Sequence, residues 1–352
     1  MAAYKPGEQP RPGQRLIKLN TNENPYPPSP RVRRAVASAA RATLRLYPAP
    51  RADEFVEAAS RLYSVPSKMI LAGNGSDELL AMVFRAVLNR DDTVAYPVPT
   101  YSLYDTLAAV QEAKVVHVPL PRDFKVPTEE LARARANLTI ICNPNSPSGT
   151  MTPTAELDRL ARQLHGRMLL IDEAYVDFAD EHALSLLSRR RNVVILRTLS
   201  KSYSLAGMRL GLCFGRAEVI EGLMKVKDSY NLNRIALTAG AAALSDLVWM
   251  RRNVARIRKT RTATERRLRR LGFEVPESSA NFVLARMAGR SLAPVAAGLR
   301  RAGILVRYFA TPLLRDALRI SIGTDAEMAA LFRALEPLLK PAAARIRRAG
   351  SR

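Results

Sequence analysis

Two short apolar runs that each end in polar side chains constrain the fold of this chain more than any other feature. Residues 168–171, Met-Leu-Leu-Ile, lead directly into Asp172, and the run 192–196 leads into a segment of hydroxyl residues around Lys201. Apolar runs of this length predict buried strands of a parallel sheet. Because ligands of open α/β sheets bind at the carboxyl ends of strands, both polar segments are candidate parts of one site.

Lys201 stands in an unusual place for a solvated surface lysine. It follows a predicted buried strand, lies among hydroxyl residues, and precedes Arg209 by a Leu-Ala-Gly turn. A lysine that forms an imine with an aldehyde needs a partly dry site, which lowers its pKa. If the aldehyde carries a phosphate, Thr198, Ser200 and Arg209 are suitable ligands. The segment indicates pyridoxal phosphate, but taken alone it fits a lysine that merely ends a strand equally well.

Asp172 and Tyr175 form a second motif upstream of the lysine segment. A carboxylate at the end of a strand can pair with the pyridinium nitrogen of the cofactor and keep the ring an electron acceptor. Tyr175 is suited to donate a hydrogen bond to the phenolate oxygen of the ring. A helix-capping Asp followed by a packed Tyr explains either residue separately, but not why both precede the lysine segment.

The two motifs together resemble the aspartate aminotransferase superfamily of pyridoxal phosphate enzymes, fold type I. They are Asp-x-x-Tyr at 172–175 and Ser-Lys-x-x-x-Leu-Ala-Gly-x-Arg at 200–209. Within that superfamily the chain is similar to the histidinol-phosphate aminotransferases, over about residues 19–324. The resemblance implies an α/β fold: a large domain with a mostly parallel seven-stranded sheet flanked by helices, and a small α/β C-terminal domain. It also implies that Lys201, Asp172 and Tyr175 are catalytic.

A chain of 352 residues is long enough for such a large core and a smaller domain. The expected divisions are an N-terminal arm and first helix at 1–45, a cofactor-binding domain at 46–248, and a small domain at 249–352. Residues 249–271 predict one long basic helix that bridges the domains. Residues 273–275 predict the first strand of the small domain.

Several more residues are assigned to the cofactor by the resemblance. Gly75, Ser76 and Asp77 form a turn at a predicted helix start, where exposed N–H groups can bind the phosphate. Tyr101 is expected to stack on the pyridine ring. Tyr104 is expected only to pack on the following helix.

The loop at 143–150 departs from the family pattern Asn-Pro-x-Asn-Pro-Thr-Gly. Ser146 stands where the family has the asparagine that holds the phenolate oxygen of the ring. A serine hydroxyl can still donate one hydrogen bond, but it reaches less far than an amide. Asn145 and Ser146 are therefore joint candidates for this contact.

The resemblance also implies a homodimer with shared active sites. In relatives, a tyrosine in a Tyr-Pro segment reaches the cofactor phosphate of the other subunit, and Tyr47 matches it.

Two arginines within predicted strands are candidates for the substrate. An arginine inside an apolar strand is costly unless it meets an anion. The resemblance implies that Arg319 binds a carboxylate, or the phosphate of L-histidinol phosphate, with help from Arg307. Weaker candidates for substrate contacts are Tyr26, Tyr230, Asn231 and Asn233.

The implied reaction transfers the amino group of L-histidinol phosphate to 2-oxoglutarate, in histidine biosynthesis. It gives imidazole acetol phosphate and L-glutamate. An aromatic amino acid as donor, or decarboxylation of threonine phosphate, would use nearly the same motifs, so both stay open. A nucleic-acid-binding protein with an aminotransferase-like core is an alternative from another class.

The charge of the chain is the feature that favours that last alternative. Lys and Arg number 55 against 32 Asp and Glu, a net charge of +23. Such an excess can attract nucleic acid or an acidic membrane surface. The arginines are spread along predicted helices with few aromatic residues among them, which favours solvated helix faces over a nucleic-acid site. Residues 345–352 form a short basic tail.

The remaining composition predicts a cytoplasmic protein. Cys142 and Cys213 each lie in an apolar run, as reduced buried thiols do. The three histidines are scattered, which predicts no histidine-based metal site. Residues 1–15 contain no apolar signal core, and no apolar run reaches transmembrane length.

Overall fold

The computed structural model describes residues 6–41 and 44–339. Within them the chain forms these strands: β1 (Ile17–Leu19), β2 (Ile70–Gly73), β3 (Thr93–Val98), β4 (Lys114–Pro119), β5 (Leu138–Cys142), β6 (Met168–Asp172), β7 (Val193–Thr198), β8 (Gly211–Phe214), β9 (Phe282–Arg286), β10 (Ile304–Tyr308) and β11 (Ala317–Ser321).

The α-helices of the described residues follow the strands in alternation through most of the chain. They are α1 (Pro30–Arg41), α2 (Asp53–Tyr63), α3 (Ser76–Val87), α4 (Leu103–Val110), α5 (Thr128–Arg133), α6 (Thr154–Gln163), α7 (Leu186–Arg189), α8 (Ala217–Met224), α9 (Arg234–Leu244), α10 (Leu247–Arg270), α11 (Ala293–Arg301) and α12 (Asp325–Leu339).

The larger sheet has seven strands in the order β2-β8-β7-β6-β5-β3-β4. Strands β3 to β7 pair in parallel, and β8 is antiparallel to both β7 and β2. Every residue of β5 and β7 is buried, as in strands covered on both faces. The prediction of an α/β fold with a mostly parallel seven-stranded sheet is confirmed.

The register of β6 and β7 determines where the site lies. Asp172, the last residue of β6, pairs with Leu196, so β7 continues for two residues to Thr198. Both strands run in the same direction, and their carboxyl ends meet at one edge of the sheet. The segments of Asp172 and Lys201 are therefore neighbours, as the two apolar runs predict.

The smaller sheet has the order β1-β10-β11-β9. Its edge strand β1 comes from the N-terminal arm and pairs in parallel with β10, with Ile17 opposite Ile304. The sequence predicted an extended arm here but not this strand. The arm is thereby fixed to the C-terminal part of the chain.

The predicted strand at 273–275 is wrong. Only an isolated bridge between Glu274 and Arg286 occurs there. Gly272 has φ 86° and begins the segment, and Pro276 follows it without a backbone N–H, so a ladder cannot extend in either direction.

The long basic helix is confirmed as α10, which begins two residues before its predicted start. Two of its arginines contact other parts of the chain. Arg258 pairs with Asp180 at 2.6 Å, and buried Arg261 donates to the Ala280 carbonyl at 2.7 Å. The helix thus contacts both the large-sheet segment around 180 and the segment that enters β9.

Two other predictions meet the limits of the described chain. The first helix expected within 1–45 is α1, and residues 42–43 lie outside the described residues, as does the basic tail at 345–352. Among the helices of residues 6–41 and 44–339, none combines the length and the apolar character that a bilayer crossing requires.

Candidate active site

Lys201 lies in a tight loop beyond the carboxyl end of β7. The loop is held by a backbone hydrogen bond from Leu199 N–H to the Leu210 carbonyl, 2.9 Å, and by the side-chain amide of Asn24, which donates to the Lys201 carbonyl at 3.1 Å. Its Nζ lies 3.3 Å from the carbonyl oxygen of Thr21. The N-terminal arm therefore covers the lysine on one side.

The surroundings of Lys201 favour its neutral amine. Burial lowers the pKa of its ammonium group to about 8, and the positive charge of Arg319 adds to that effect. Glu23 and Asp77 act in the opposite direction. Its Nζ lies 5.7 Å from the centroid of the Tyr175 ring. The sequence-based expectation of a partly dry lysine agrees with this geometry.

A narrow cradle lies where α3 begins. Gly75 precedes α3 with φ 82°, and a Cβ added there would lie 2.5 Å from Nη2 of Arg209. A Cβ at Gly211 would lie 2.6 Å from the carbonyl carbon of Gly75. Both positions require glycine because the backbone and the guanidinium approach so closely. The N–H groups at the start of α3 and the guanidinium make this cradle a suitable anion site.

The hydroxyls of Thr198 and Ser200 lie beside the cradle. They are 2.9 Å apart, and Nη1 of Arg209 lies 3.4 Å from Oγ of Ser200. The structure therefore brings together the predicted phosphate ligands from three separate segments of the chain.

Asp77 orients its neighbours through its side chain. Its carboxylate accepts hydrogen bonds from the Tyr101 hydroxyl, 3.1 Å, and from Arg209, 3.2 Å. A carboxylate repels a phosphate, so only the backbone N–H of Asp77 is suited to contact one.

Asp172 is 3% exposed and accepts two hydrogen bonds. The Tyr104 hydroxyl donates to Oδ2 at 2.8 Å, and the Ala174 N–H donates to Oδ1 at 3.2 Å. Burial raises the pKa of the carboxyl to about 6, and these two donors oppose that rise. The sequence analysis assigned Tyr104 to packing alone and missed this contact. Its place in the first turn of α4, after the end of β3, was the available signal.

Tyr175 is oriented by the N-terminal arm. The Asn22 amide donates to its hydroxyl oxygen at 3.0 Å, which leaves the phenol proton for another acceptor. Asn22 is 1% exposed and is itself held by Ser321 and Asn281 from the small sheet. Burial raises the pKa of Tyr175 to about 12, so it stays a donor. Asn22 was not among the residues expected at the site from the sequence.

The two candidates in the loop at 143–150 have different partners. The Asn145 amide donates to the Pro99 carbonyl, 3.2 Å, and to Ser148, 2.9 Å, so it holds the loop together. The Ser146 hydroxyl instead accepts from Nη1 of Arg319 at 3.1 Å. Ser146 is thus the member of the pair that contacts another site residue.

Arg307 and Arg319 lie directly opposite each other on β10 and β11. Arg319 also donates to the Asn20 carbonyl at 2.9 Å, and Arg307 donates to the Pro6 carbonyl at 3.1 Å. Both guanidinium carbons lie within 5.6 Å of the centroid of the Phe309 ring. Two cations therefore share one face of the small sheet, and the charge of Arg319 acts on Lys201.

The weaker substrate candidates have partners outside this cluster. Tyr26 is buried with its ring 3.6 Å from the guanidinium carbon of Arg256. The Asn231 amide donates to Glu78 at 2.7 Å. The Asn233 side chain accepts from the Ala236 N–H at 2.8 Å and caps α9, which accounts for its position without a substrate.

Two exposed aromatic residues pack on each other at the surface. Tyr47 is 76% exposed, and its ring stacks on that of Tyr230 with centroids 4.3 Å apart. Leu44 and Leu46, just before Tyr47, are each more than half exposed. The segment between α1 and α2 therefore exposes apolar side chains to solvent.

The match to a family model decides the assignment. Residues 14–335 match the model described as aminotransferase class I and II. The chain belongs to the class I and II aminotransferases. Accordingly it is an enzyme, and pyridoxal phosphate is its cofactor.

This aminotransferase is similar to named relatives over nearly all its length. It is 46% identical over 340 residues to histidinol-phosphate aminotransferase 1 of Trichormus variabilis, with 97% of each chain covered. It is 44% identical over 335 residues to the histidinol-phosphate aminotransferase of Syntrophotalea carbinolica, with 95% of this chain and 96% of the relative covered.

A crystal structure gives the same family and fold. It is that of histidinol-phosphate aminotransferase from Sinorhizobium meliloti in complex with pyridoxal-5′-phosphate. The TM-score is 0.87 at 27% identity, and the likeness covers 92% of this chain and 91% of the other.

The residues of this aminotransferase fit the cofactor. Its cradle at Gly75 and Gly211 is closed to any Cβ and is surrounded by donors suited to a phosphate. Asp172 is a buried carboxylate with capacity for one more donor, as a ring N–H requires. Lys201 presents a partly neutral amine for an aldehyde.

Removal of the positive charge at Arg319 is expected to make Lys201 more basic. In the cofactor-free Arg319→Met variant, acetylation of Lys201 at about pH 7 should slow about threefold, because less of the amine is neutral. Peptide mass spectrometry after brief acetylation over a pH series measures the rate. In the unmodified protein the rate should rise with pH through about 8.

Arg307→Met is the matched control, since it removes the same charge from the facing strand. Its acetylation profile should follow the unmodified protein. Equal effects of the two variants would contradict a specific action of Arg319 on Lys201.

Proposed function

We propose that this enzyme transfers the amino group of L-histidinol phosphate to 2-oxoglutarate and so forms imidazole acetol phosphate and L-glutamate in histidine biosynthesis. The observation that carries the proposal is Arg319, which contacts Ser146 and acts on Lys201, with Arg307 opposite it on the neighbouring strand. Histidinol phosphate has a phosphate and no carboxylate, and guanidinium groups bind both types of anion. The names of the relatives support the same substrate.

The cofactor phosphate is proposed to bind in the cradle. The N–H groups at Gly75, Ser76 and Asp77 would donate to it, and Thr198, Ser200 and Arg209 would add side-chain donors. The guanidinium and the positive end of α3 balance the phosphate charge.

The ring is proposed to lie between Asp172 and the Tyr175 hydroxyl. When bound, pyridoxal phosphate supplies an aldehyde that takes up the amino group and a ring that accepts electron density. Asp172 would hold a proton at the ring nitrogen. Tyr175 and Ser146 would donate to the ring oxygen, with Asn145 shaping the loop, and Tyr101 would cover one face of the ring.

Lys201 is proposed to hold the cofactor and then to move a proton. With cofactor and substrate bound, the free amine of Lys201 would accept the proton from the substrate Cα, hold it as an ammonium group and return it as the amino group is transferred. A pKa near 8 suits this exchange, because both the charged and the neutral amine are accessible near neutral pH. The arm at Thr21 helps exclude water from this amine.

Arg319 is proposed to bind the phosphate of the donor and, in the second half of the reaction, a carboxylate of 2-oxoglutarate. Arg307 would add a second charge, although it also donates to the Pro6 carbonyl. Tyr26, Tyr230 and Asn231 stay weaker candidates for contacts with the rest of the substrate.

We propose that the protein works as a homodimer in the cytoplasm. Tyr47 projects from the surface with two exposed leucines before it, an arrangement suited to a second copy. It would then contact the cofactor phosphate of the other subunit. The buried thiols Cys142 and Cys213 fit a reducing compartment.

The excess of basic residues is proposed to be solvated surface and not a nucleic-acid site. On α10, Arg258, Arg267 and Arg269 already pair with carboxylates. The division into 1–45, 46–248 and 249–352 is kept as the proposed domain organisation, with the strand β1 joined to the third part.

Mixing the cofactor-loaded protein with L-histidinol phosphate alone tests the donor directly. The absorption of the bound cofactor should convert to that of its amino form, and 2-oxoglutarate should reverse the change. Lys201→Ala should abolish it. A spectrum that stays unchanged with histidinol phosphate, and converts with an aromatic amino acid, would contradict the proposed substrate; release of carbon dioxide from threonine phosphate would favour the decarboxylase.

The Arg319→Met variant separates the phosphate from the rest of the donor in the same assay. It should weaken the use of histidinol phosphate about 30-fold or more, since a charge-assisted contact is lost, but weaken the use of L-histidinol only about threefold, through the change in the neutral fraction of Lys201. Equal losses with both compounds would argue against a phosphate contact.

Mixed dimers test the sharing of sites. Lys201→Ala and Tyr47→Ala chains are each expected to be weakly active. After joint dissociation and reassembly, activity should recover to about a quarter of the unmodified level, because half of the dimers are hybrids with one intact site each. No recovery, with hybrids demonstrated by mass, would contradict a contribution of Tyr47 across the interface.

A further inference from the structure

The hydroxyl of Tyr104 has a position that packing alone does not require. Tyr104 is fully buried, and its hydroxyl donates to Oδ2 of Asp172 at 2.8 Å. The other oxygen of Asp172 accepts the Ala174 N–H at 3.2 Å. Among residues 6–41 and 44–339, no lysine, arginine or histidine forms an ion pair with Asp172. Its charge is therefore supported by these two hydrogen bonds.

The ring of Tyr104 is held on two sides. The Tyr96 ring meets it edge-on with centroids 5.5 Å apart, and the Tyr101 ring does so at 5.7 Å. Tyr96 is anchored in turn by a hydrogen bond to Asp105 at 2.7 Å. Since Tyr104 lies in the first turn of α4 and cannot turn away in this packing, its hydroxyl stays directed at the carboxylate.

We propose that Tyr104 is a positioning residue for the cofactor, whose hydroxyl fixes the orientation of the Asp172 carboxylate and favours its charged form. The inference rests on the proposed role of Asp172 at the ring nitrogen. Each carboxylate oxygen accepts one hydrogen bond from the protein and keeps the capacity for another. Two acceptor positions on Asp172 thus remain, and one of them can accept the ring N–H.

The electrostatics of the site explain why this donor matters. Burial and the nearby charges of Asp77 and Glu173 all favour the neutral carboxyl, while the Tyr104 and Ala174 donors favour the charged carboxylate. A neutral carboxyl cannot stabilise a proton on the ring nitrogen. Asp172 has ionisable neighbours on several elements. They are Asp77 on α3, Tyr104 on α4, Cys142 at the end of β5, and Glu173 and Tyr175 just after β6.

The test compares holoenzyme with Tyr104→Phe, which keeps the ring and removes the hydroxyl, and with Tyr96→Phe as the matched control. Tyr96 is an equally buried phenol of the same cluster, but its hydroxyl is directed at Asp105. Retention of the cofactor is measured by its absorption after rapid gel filtration over a pH series.

The unmodified enzyme should release cofactor on the acidic side as Asp172 takes up a proton. In Tyr104→Phe, release should occur about one pH unit higher, and the affinity at neutral pH should fall about tenfold, as for loss of a hydrogen bond to a charged group. Tyr96→Phe should follow the unmodified enzyme. Coincident profiles for all three proteins would overturn the proposal.

A second substitution covers the case in which Tyr104→Phe does not fold. Incorporation of 3-fluorotyrosine at position 104 changes the shape little but makes the hydroxyl a stronger donor, so release should move to lower pH. An unchanged profile would overturn the proposal equally.

Asp172→Asn separates this inference from the proposed function. If that variant keeps the cofactor with an unmodified pH profile, the assignment of Asp172 to the ring fails. If Asp172→Asn removes the release of cofactor at acidic pH, but neither change at Tyr104 shifts the pH of that release, only the role of Tyr104 fails.

Discussion

The buried ion pair between Glu173 and Arg197 joins the two strands on which the site depends. Nη2 of Arg197 lies 2.8 Å from Oε2 of Glu173, and the side chains are 6% and 0% exposed. Removing one partner of such a pair typically costs about 3–5 kcal/mol, because a charge is left buried and alone. The backbone N–H of Glu173 also donates to the Leu196 carbonyl at 2.8 Å. Asp172 precedes one partner and Thr198 follows the other, so the pair holds both ends of the site in register.

The burial that stabilises this sheet also adjusts the chemistry of its edge. Desolvation disfavours every charge, so it lowers the pKa of Lys201 to about 8 and raises that of Asp172 to about 6. Both pKa values thereby move towards neutral pH, where each group can gain or lose a proton. Arg209 and Arg319 then supply the positive charge that anionic ligands need. One physical cause, a dry sheet edge, accounts for the shifted pKa of both the amine and the carboxylate.

Local motifs made much of this predictable from the sequence. The strands β5, β6 and β7 are largely apolar runs, and the proposed site residues lie at or just beyond the ends of β6 and β7, so Asp172 and Lys201 could be proposed without a structure. Of the two glycines of the cradle, the sequence pointed to Gly75 but not to Gly211. The turn at Gly75 suggested a phosphate site, but the close approach of Gly211 depends on the antiparallel pairing of β2 and β8.

Contacts between distant segments could not be predicted from one sequence. The pairing of β1 with β10 and the hydrogen bond from Asn22 to Tyr175 join the arm to residues far along the chain. Nothing local distinguishes Asn22 from the other asparagines of the arm. Tyr104 was assigned to packing because a tyrosine in a helix usually packs. Its acceptor, Asp172, lies at the end of β6, far from α4 along the chain.

The central claim is that Lys201 holds the cofactor at the edge between β6 and β7. Reduction of the cofactor-loaded enzyme with borohydride, followed by digestion and peptide mass spectrometry, fixes the cofactor to the lysine that carries it and identifies that residue. The account predicts one modified lysine per chain, Lys201. Modification of another lysine, such as Lys227 beside Asn231, with Lys201 unmodified would contradict it.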